Sequence, residues 1–542
     1  MPKQIVLVSG SVASGKTTLC ENLRTHFDRV HILKTKDVIR ELAARRLGKE
    51  LPKERRAMQE FGDRLDRETN GQWVRDALRK LLSRLGLEEP QAMVLVDAVR
   101  IPDQIRAIRQ AYGFAVTHIH LCAPSETLSE RYRGRLSSGL QELPSYADVE
   151  QNPTEARIQQ LERVADVVIN TRLCRKEDVL VRAAAHLALY AREFDRLVDV
   201  IIGGQYGSEG KGHIASYIAK EYAILVRVGG PNAGHKVFLS PAPYTHHQLP
   251  SGTLRSAARL VIAPGSVLNA DALMREIAEC KVEADRLSID PHAMIISQKD
   301  IRGEAGLTSR ISSTGQGVGL ATARRITDRG NTVVLARDVK ALAPYVRDTW
   351  VILEEAYSRG SKVLVEGTQG AGLSLYHGEY PFVTSRDTTA SGCLSEAGIS
   401  PARVRRVVMV CRTYPIRVQN PPGGTSGPLS QPISWAIVSK RSDIDVGQIR
   451  KAEKTSTTNR KRRVGEFDWV QLRRAAALNG PTDIALTFAD YHHRSNEDAR
   501  RYEQLWPDTI RFIEEIERVA SAPVSLISTR FDFRSIIDRR SW

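Results

Sequence analysis

Two glycine-rich segments hold the residue types that bind phosphate. The first, GSVASGKT (10–17), fits GxxxxGK[ST] and lies between an apolar strand pattern and a helical one. In that setting backbone N–H groups between Gly10 and Gly15 surround phosphate oxygens, Lys16 reaches the β- and γ-phosphates, and the Thr17 hydroxyl can ligate Mg²⁺. Asp97 closes a second apolar run, VLVD, where a carboxylate can order Mg²⁺ or its water. Asp37 suits an acceptor site, and Arg100, Arg131, Arg133 and Arg135 can neutralise phosphate charge. No NKxD signature of a GTPase is present, so a phosphotransferase is favoured. The second segment, GGQYGSEGKG (203–212), again follows an apolar run, VDVII, and puts Lys211 at the head of a helix.

Such loops need a strand to aim them and a helix to receive them. Gln4–Ser9, Met93–Asp97, Val116–Cys122 and Val167–Asn170 read as buried strands with Arg-rich helical stretches between them, and Lys176–Leu197 reads as a helix. Alternation of this kind predicts an α/β fold, a parallel sheet with helices on both faces. A second start follows at Val198–Ile202. Two strand–glycine–helix openings about 190 residues apart divide the chain into phosphate-loop domains over 1–190 and 197–542, with a boundary near 186–197. The Pro/Gly/Ser-rich stretch Asn420–Ser434 reads as a long loop.

Composition bounds the function. At 542 residues the chain is too long for one core and suits two or three domains. With 42% hydrophobic and 26% charged residues it is neither disordered nor collagen-like. No apolar run approaches the roughly 18–20 residues that span a bilayer. The N-terminus enters a strand at once, so no signal peptide is expected. Six scattered cysteines without a CxxC pair argue against a zinc module and suit a reducing cytoplasm. The net charge of +16 is dispersed, which favours arginine-rich clefts for small phosphorylated substrates over nucleic-acid binding.

The first domain resembles the nucleoside-monophosphate kinase group, where Arg131 and Arg135 of ERYRGR would be lid arginines acting on a (deoxy)nucleoside or nucleotide. Residues 198–542 carry an ordered series: GQYGSEGKG (204–212), GGPNAGH (229–235), LPSG (249–252), STGQGVG (313–319), EGTQG (366–370), YPFVTSRDTT (380–389), TNRKRRVGEFD (458–468) and ISTR (527–530). The series resembles adenylosuccinate synthetase across the whole domain. That resemblance implies a two-step ligation. A nucleoside triphosphate phosphorylates O6 of a 6-oxopurine mononucleotide, and the amine of L-aspartate then displaces that phosphate. It further implies that Gly207, Glu209, Gly210, Lys211 and Gly212 hold the triphosphate, with Asp490, Ser528 and Thr529 at its base. His235 would act as general acid, and Gly234 would offer a carbonyl to Mg²⁺. Asn232, Thr314, Gln369 and Thr384 would surround the purine nucleotide, and Arg329 its phosphate. Thr458, Arg460 and Arg462 would take aspartate, arginine's planar fork suiting a carboxylate. A homodimer is implied as well.

One departure matters most. The family's loop reads GDEGKG, whose Asp removes the N1 proton of IMP and helps hold Mg²⁺; here Ser208 stands in its place. A serine hydroxyl is a poor base at pH 7 and a weaker metal ligand. Either the domain is inactive or its substrate differs. A guanine nucleotide adds a 2-amino group beside N1, where a smaller side chain leaves room and can accept a hydrogen bond. The exchange resembles the virus-associated 2-aminoadenylosuccinate synthetases, which join dGMP to aspartate, as do STGQG, ARDV (336–339), TSRDTT and GGTSG (423–427). In LTFAD, Phe488 stands where the family has Lys, and Arg530 replaces a glycine, which leans toward ATP or dATP as donor with GTP left open. The leading expectation is a bifunctional cytoplasmic enzyme using Mg²⁺. The alternatives are an ordinary adenylosuccinate synthetase acting on IMP and fused to a kinase, and a nucleotide sensor without catalysis.

Overall fold

The computed structural model describes residues 4–48, 52, 55–85, 92–134, 145–151, 153–190, 195–330, 332–455 and 459–540. The chain forms two compact units, Met1–Tyr190 and Ala191–Trp542.

In the first unit β1 (Gln4–Gly10), β2 (Val30–Lys34), β3 (Met93–Asp97), β4 (Val116–Cys122) and β5 (Val167–Asn170) form one parallel sheet in the order β2-β3-β1-β4-β5. Alternate residues of β1 serve opposite cores: Ile5 and Leu7 pack with Phe61 and Trp73, whereas Val6 and Val8 pack with Leu19 and Leu23. Helices therefore cover both faces, as an all-parallel sheet requires. The glycine loop joins β1 to α1 (Lys16–His26). The helix expected over Lys176–Leu197 stops at His186, and Ala188 follows in the left-handed region at φ +52°. Bulk apolar periodicity does not register such a turn.

The second unit is built on β6 (Val198–Gly203), β7 (Ile224–Arg227), β8 (Arg259–Ile262), β9 (Leu287–Ile289), β10 (Val363–Glu366), β11 (Val404–Arg412), β12 (Asp483–Thr487), β13 (Val524–Ser528) and β14 (Ile536–Asp538). Their order is β9-β8-β7-β10-β6-β11-β12-β13-β14, parallel except for the last pair. Two apolar cores sandwich the sheet, Val198, Val200 and Ile202 facing one and Ile201 the other. The carboxyl ends of β7, β10, β6, β11, β12 and β13 lie side by side, and such an edge is where open parallel sheets bind ligands. The loop expected over Asn420–Ser434 contains a short strand, Pro432–Ile433, which pairs with Arg462–Gly465. Arg462–Gly465 also pairs with Ile416–Val418, completing a three-stranded sheet that carries Arg417 and Arg462. Among the described residues no helix is long and apolar enough to cross a membrane.

Candidate functional site

The two glycine loops share one local solution. Gly15 (φ +98°) and Gly210 (φ +86°) cap the helices that follow in left-handed conformation, which β-carbons disfavour and which turns backbone N–H groups toward the loop. In the first unit the Lys16 ammonium donates to the Gly10 and Ser11 carbonyls, both at 2.8 Å. The Thr17 hydroxyl donates to the Asp97 carboxylate at 3.0 Å, so the two oxygen groups suited to a hard cation adjoin at the loop. The expected arginines diverge. Arg100 pairs with the buried Glu155 at 3.2 Å. Arg131 donates to the Thr171 hydroxyl and carbonyl, a tie that holds it to the end of β5 instead of leaving it free as a lid side chain. Asp37 is exposed on the helix Thr35–Leu47, and Arg135 lies outside the described residues.

In the second unit the loop is closed by its own carboxylate. Glu209 accepts the N–H groups of Gln205 (3.1 Å) and Gly207 (2.7 Å) on Oε1 and the Lys211 ammonium (2.8 Å) on Oε2. Both side chains are buried, and the Thr487 hydroxyl donates to the Glu209 carbonyl at 2.6 Å. Glu209, expected among the triphosphate contacts, thus commits its carboxylate to the shape of the loop. Gly212 packs against His235.

His235 sits in a buried polar cluster. Its Nδ1 contacts Glu366 and lies 2.6 Å from Arg227 Nη1, while Ser251 bonds Glu366 through both its hydroxyl and, at 2.7 Å, its N–H. Burial, reinforced by Arg227, pushes the imidazole down to about 3, so the ring is neutral in the resting site. Against the upward pull of burial, Arg227 and His235 hold the Glu366 carboxyl well below the usual range. An ionised Glu366 fixes the proton on Nδ1, and His235 Nε2 is left buried with no partner.

Next to this cluster lies a cavity of about 230 Å³. Ser208, Asn232, Gly234, Thr314, Gln369, Thr384 and Arg462 all line it, drawn from segments far apart in the chain. The Ser208 hydroxyl makes no hydrogen bond to a described residue; its carbonyl accepts from Arg412 at 3.3 Å. Asn232 reaches the Thr384 hydroxyl at 3.4 Å, with its own Oδ1 buried and unpaired. Gln369 holds a left-handed backbone, φ +59°, of the kind that collects at ligand sites. Arg460 donates to the Ser312 carbonyl at the rim at 3.5 Å. Arg462 and Arg412 share the buried Glu453, at 2.9 and 2.7 Å, and hold its carboxyl below the usual range despite burial. Thr458 lies outside the described residues.

Other expected residues stand apart from the cavity. Arg329 is exposed, its Nε donating to the Ile326 carbonyl, and does not line the cavity. Asp490 is half-buried just beyond β12, its Oδ1 buried and unpaired among the described residues, and burial, with Glu497 nearby, pushes its carboxyl up to about 7. Ser528 and Thr529 donate into their own turn, to the carbonyls of Arg530 and Ser535. Arg530 pairs with Glu497, and the Arg412 guanidinium lies 3.9 Å from the Phe488 ring centre. Reading by motif missed Arg227, Ser251, Glu366, Arg412 and Glu453. Ser251 and Glu366 lie inside two of the ordered motifs, LPSG and EGTQG, but a motif does not say which partner a side chain meets.

The profile of the adenylosuccinate synthetase family matches residues 200–341 and 332–497. The adenylosuccinate synthetase of Pyrococcus horikoshii is 38% identical over 349 residues, covering 63% of this chain and 98% of that protein. The chain belongs to the adenylosuccinate synthetase family. Its relative from Archaeoglobus fulgidus is 36% identical over 348 residues, with the same coverage. The solved adenylosuccinate synthetase of Plasmodium falciparum shares the fold at TM-score 0.57 and 21% identity, over 64% of this chain and 100% of that one. The cyanophage S-2L succinoaminodeoxyadenylate synthetase, solved with dGMP and with dATP as an energy donor, matches at TM-score 0.53 and 27% identity, over 64% and 96%. Residues 5–184 match the profile of an AAA domain. The protein is therefore an aspartate-ligating enzyme of the adenylosuccinate synthetase family, forming a C–N bond, with a kinase-like phosphate-loop domain at its N-terminus.

Proposed function

We propose that the second unit joins L-aspartate to dGMP in preference to IMP, and that the first unit phosphorylates a (deoxy)nucleoside or nucleotide. The observation that carries the substrate choice is the Ser208 hydroxyl, on the wall of a cavity whose described lining holds no Asp or Glu, and bonded to no described residue. An unpaired acceptor there suits the 2-amino group of guanine, which IMP lacks, and a site built around a substrate's hydrogen-bonding group discriminates for it. The 27% identical cyanophage enzyme solved with dGMP adds support.

In this reading Lys211 and the loop amides hold the triphosphate. Asn232, Thr314, Gln369 and Thr384 orient the nucleotide, and Arg460 and Arg462 hold the aspartate carboxylates. His235 presents Nε2 toward the transferring phosphoryl oxygens. Being neutral at rest, it must gain a proton before it can donate one, and an arriving phosphate favours that gain by its charge. The aspartate amine then displaces the phosphate from C6. Mg²⁺ fits the donors present: the Gly234 carbonyl is a hard oxygen on the cavity wall, and Thr17 with Asp97 supplies hard oxygens in the first unit. When bound, the cation would neutralise phosphate charge. A homodimer goes with this reading by likeness to the family alone. For the donor base we favour an adenine nucleotide over GTP. A carboxyl at about 7, as in Asp490, is substantially protonated at neutral pH and can donate to a ring nitrogen such as adenine N1.

The test is aspartate-dependent phosphate release by the full chain with dGMP and IMP in parallel, each with ATP and GTP. Turnover of IMP alone would overturn the substrate assignment. No turnover with either would favour a sensor.

A further inference from the structure

Five arginines are buried among the described residues: Arg227, Arg386, Arg403, Arg412 and Arg417. The first four face a carboxylate within 4.0 Å, from Glu366, Glu396, Glu354 and Glu453 respectively. Arg417 faces none. It sits on the strand Ile416–Val418, is 4% exposed, and lines the cavity of Ser208. Its Nη1 donates to the Ser426 carbonyl at 2.8 Å and the Phe382 carbonyl at 3.4 Å, while Nε and Nη2 are buried without an acceptor among the described residues. Its guanidinium lies 3.9 Å from the centre of the Tyr206 ring. That phenol, its pKa raised by burial, is neutral and supplies no counter-charge. Arg462, the other cation on the wall, differs in having a carboxylate, Glu453, beside it as well as any ligand it takes.

A buried guanidinium without a counter-ion is costly to keep unless an anion completes it. We propose that Arg417 is an anion-binding residue of this cavity, taking a phosphate-monoester or carboxylate oxygen of a substrate on its Nε and Nη2 nitrogens. The assignment rests on the cavity being the nucleotide and aspartate site. It adds a ligand that no sequence motif pointed to.

The test compares the full-length protein with its Arg417→Met and Arg417→Lys variants. KM is measured for nucleotide and for aspartate separately, and melting temperature with and without each. Met keeps apolar bulk against the Tyr206 ring but removes the charge and the planar fork. The expected result is a roughly ten- to hundred-fold rise in KM for one substrate, as for a lost charge-assisted hydrogen bond. A rise for nucleotide assigns the phosphate, and a rise for aspartate assigns the carboxylate. Without ligand the Met variant should melt no lower than the parent, because it sheds an unpaired charge. With Lys, a point charge, part of the affinity should return. Unchanged KM and unchanged ligand-induced stabilisation in both variants would overturn the assignment. So would a lower melting temperature in the Met variant with no loss of ligand affinity. Should the Met variant not fold, the KM values of the Lys variant decide. If the parent turns over neither nucleotide, the catalytic reading fails separately; the ligand-induced melting shifts still decide whether Arg417 binds an anion.

Discussion

Ser208→Ala isolates the contact on which the guanine preference depends. The hydroxyl bonds no described residue, so its removal strands no protein donor or acceptor and leaves the Arg412 contact to the carbonyl intact. The change in kcat/KM then reports the substrate alone. For dGMP the loss is one neutral hydrogen bond plus part of the penalty for leaving an amine unpaired in a sheltered site, about 1–2 kcal/mol. That converts to a roughly five- to thirty-fold fall in kcat/KM. IMP carries only hydrogen at C2, so its kcat/KM should change by less than about threefold on the same reasoning. The assay is steady-state phosphate release at saturating aspartate and triphosphate, varying each nucleotide, with the melting temperature as a folding control. Equal losses for the two nucleotides would refute the reasoning, since the hydroxyl would then be serving a group common to both. An unchanged dGMP value would refute it as well.

The companion substitution Ser208→Asp restores a base and crowds the 2-amino position. It should move the ratio of kcat/KM toward IMP by roughly a hundredfold or more, the scale of general-base catalysis; unaltered selectivity in the same assay would remove the steric argument. Lys16→Met should abolish phosphoryl transfer by the first unit, at least about a hundredfold, through loss of charge at the phosphates. Aspartate-dependent phosphate release should persist, and equal loss of both activities in a paired assay would contradict two separate sites. Acid should destabilise both units. Burial holds His118, His120 and His213 down to about 4 and His235 to about 3, whereas unfolded histidine titrates near 6.5. Between these values the unfolded chain binds more protons, so stability is fully present above about pH 6.5 and falls as pH drops, by about 1.4 kcal/mol per pH unit for each histidine. Calorimetry from pH 7.5 to 4.5 should show falling transition temperatures, and a flat profile would contradict buried neutral rings.

Much of the fold was legible because parallel strands buried on both faces are written as short apolar runs. β3, β4 and β5 have the bounds that their sequences suggest. The ends of elements were less legible. Ala188 stops a helix whose apolar pattern gives no signal there, and Pro432–Ile433 is a strand only because Arg462–Gly465 comes alongside. The same division holds at the site. Glycine spacing announced both loops, because left-handed caps such as Gly15 and Gly210 leave few alternatives to glycine. Residue type could not tell that Arg131 would be tied to Thr171, or Glu209 to its own loop, because each depends on a partner brought by folding.

Sequence by itself determined the two phosphate loops, the ordered motifs of the second unit and the serine at position 208, all of which are local and need no partner to be read. Tertiary structure alone decided which charges are neutralised. Glu366 meets His235 across 131 residues and Glu453 meets Arg412 across 41. Arg417 pairs with no carboxylate within 4.0 Å among the described residues, and its Nε and Nη2 stay without an acceptor. Charge compensation is a property of distance and burial, and strand order, which brings the carboxyl ends of β7, β10, β6 and β11 together, sets both.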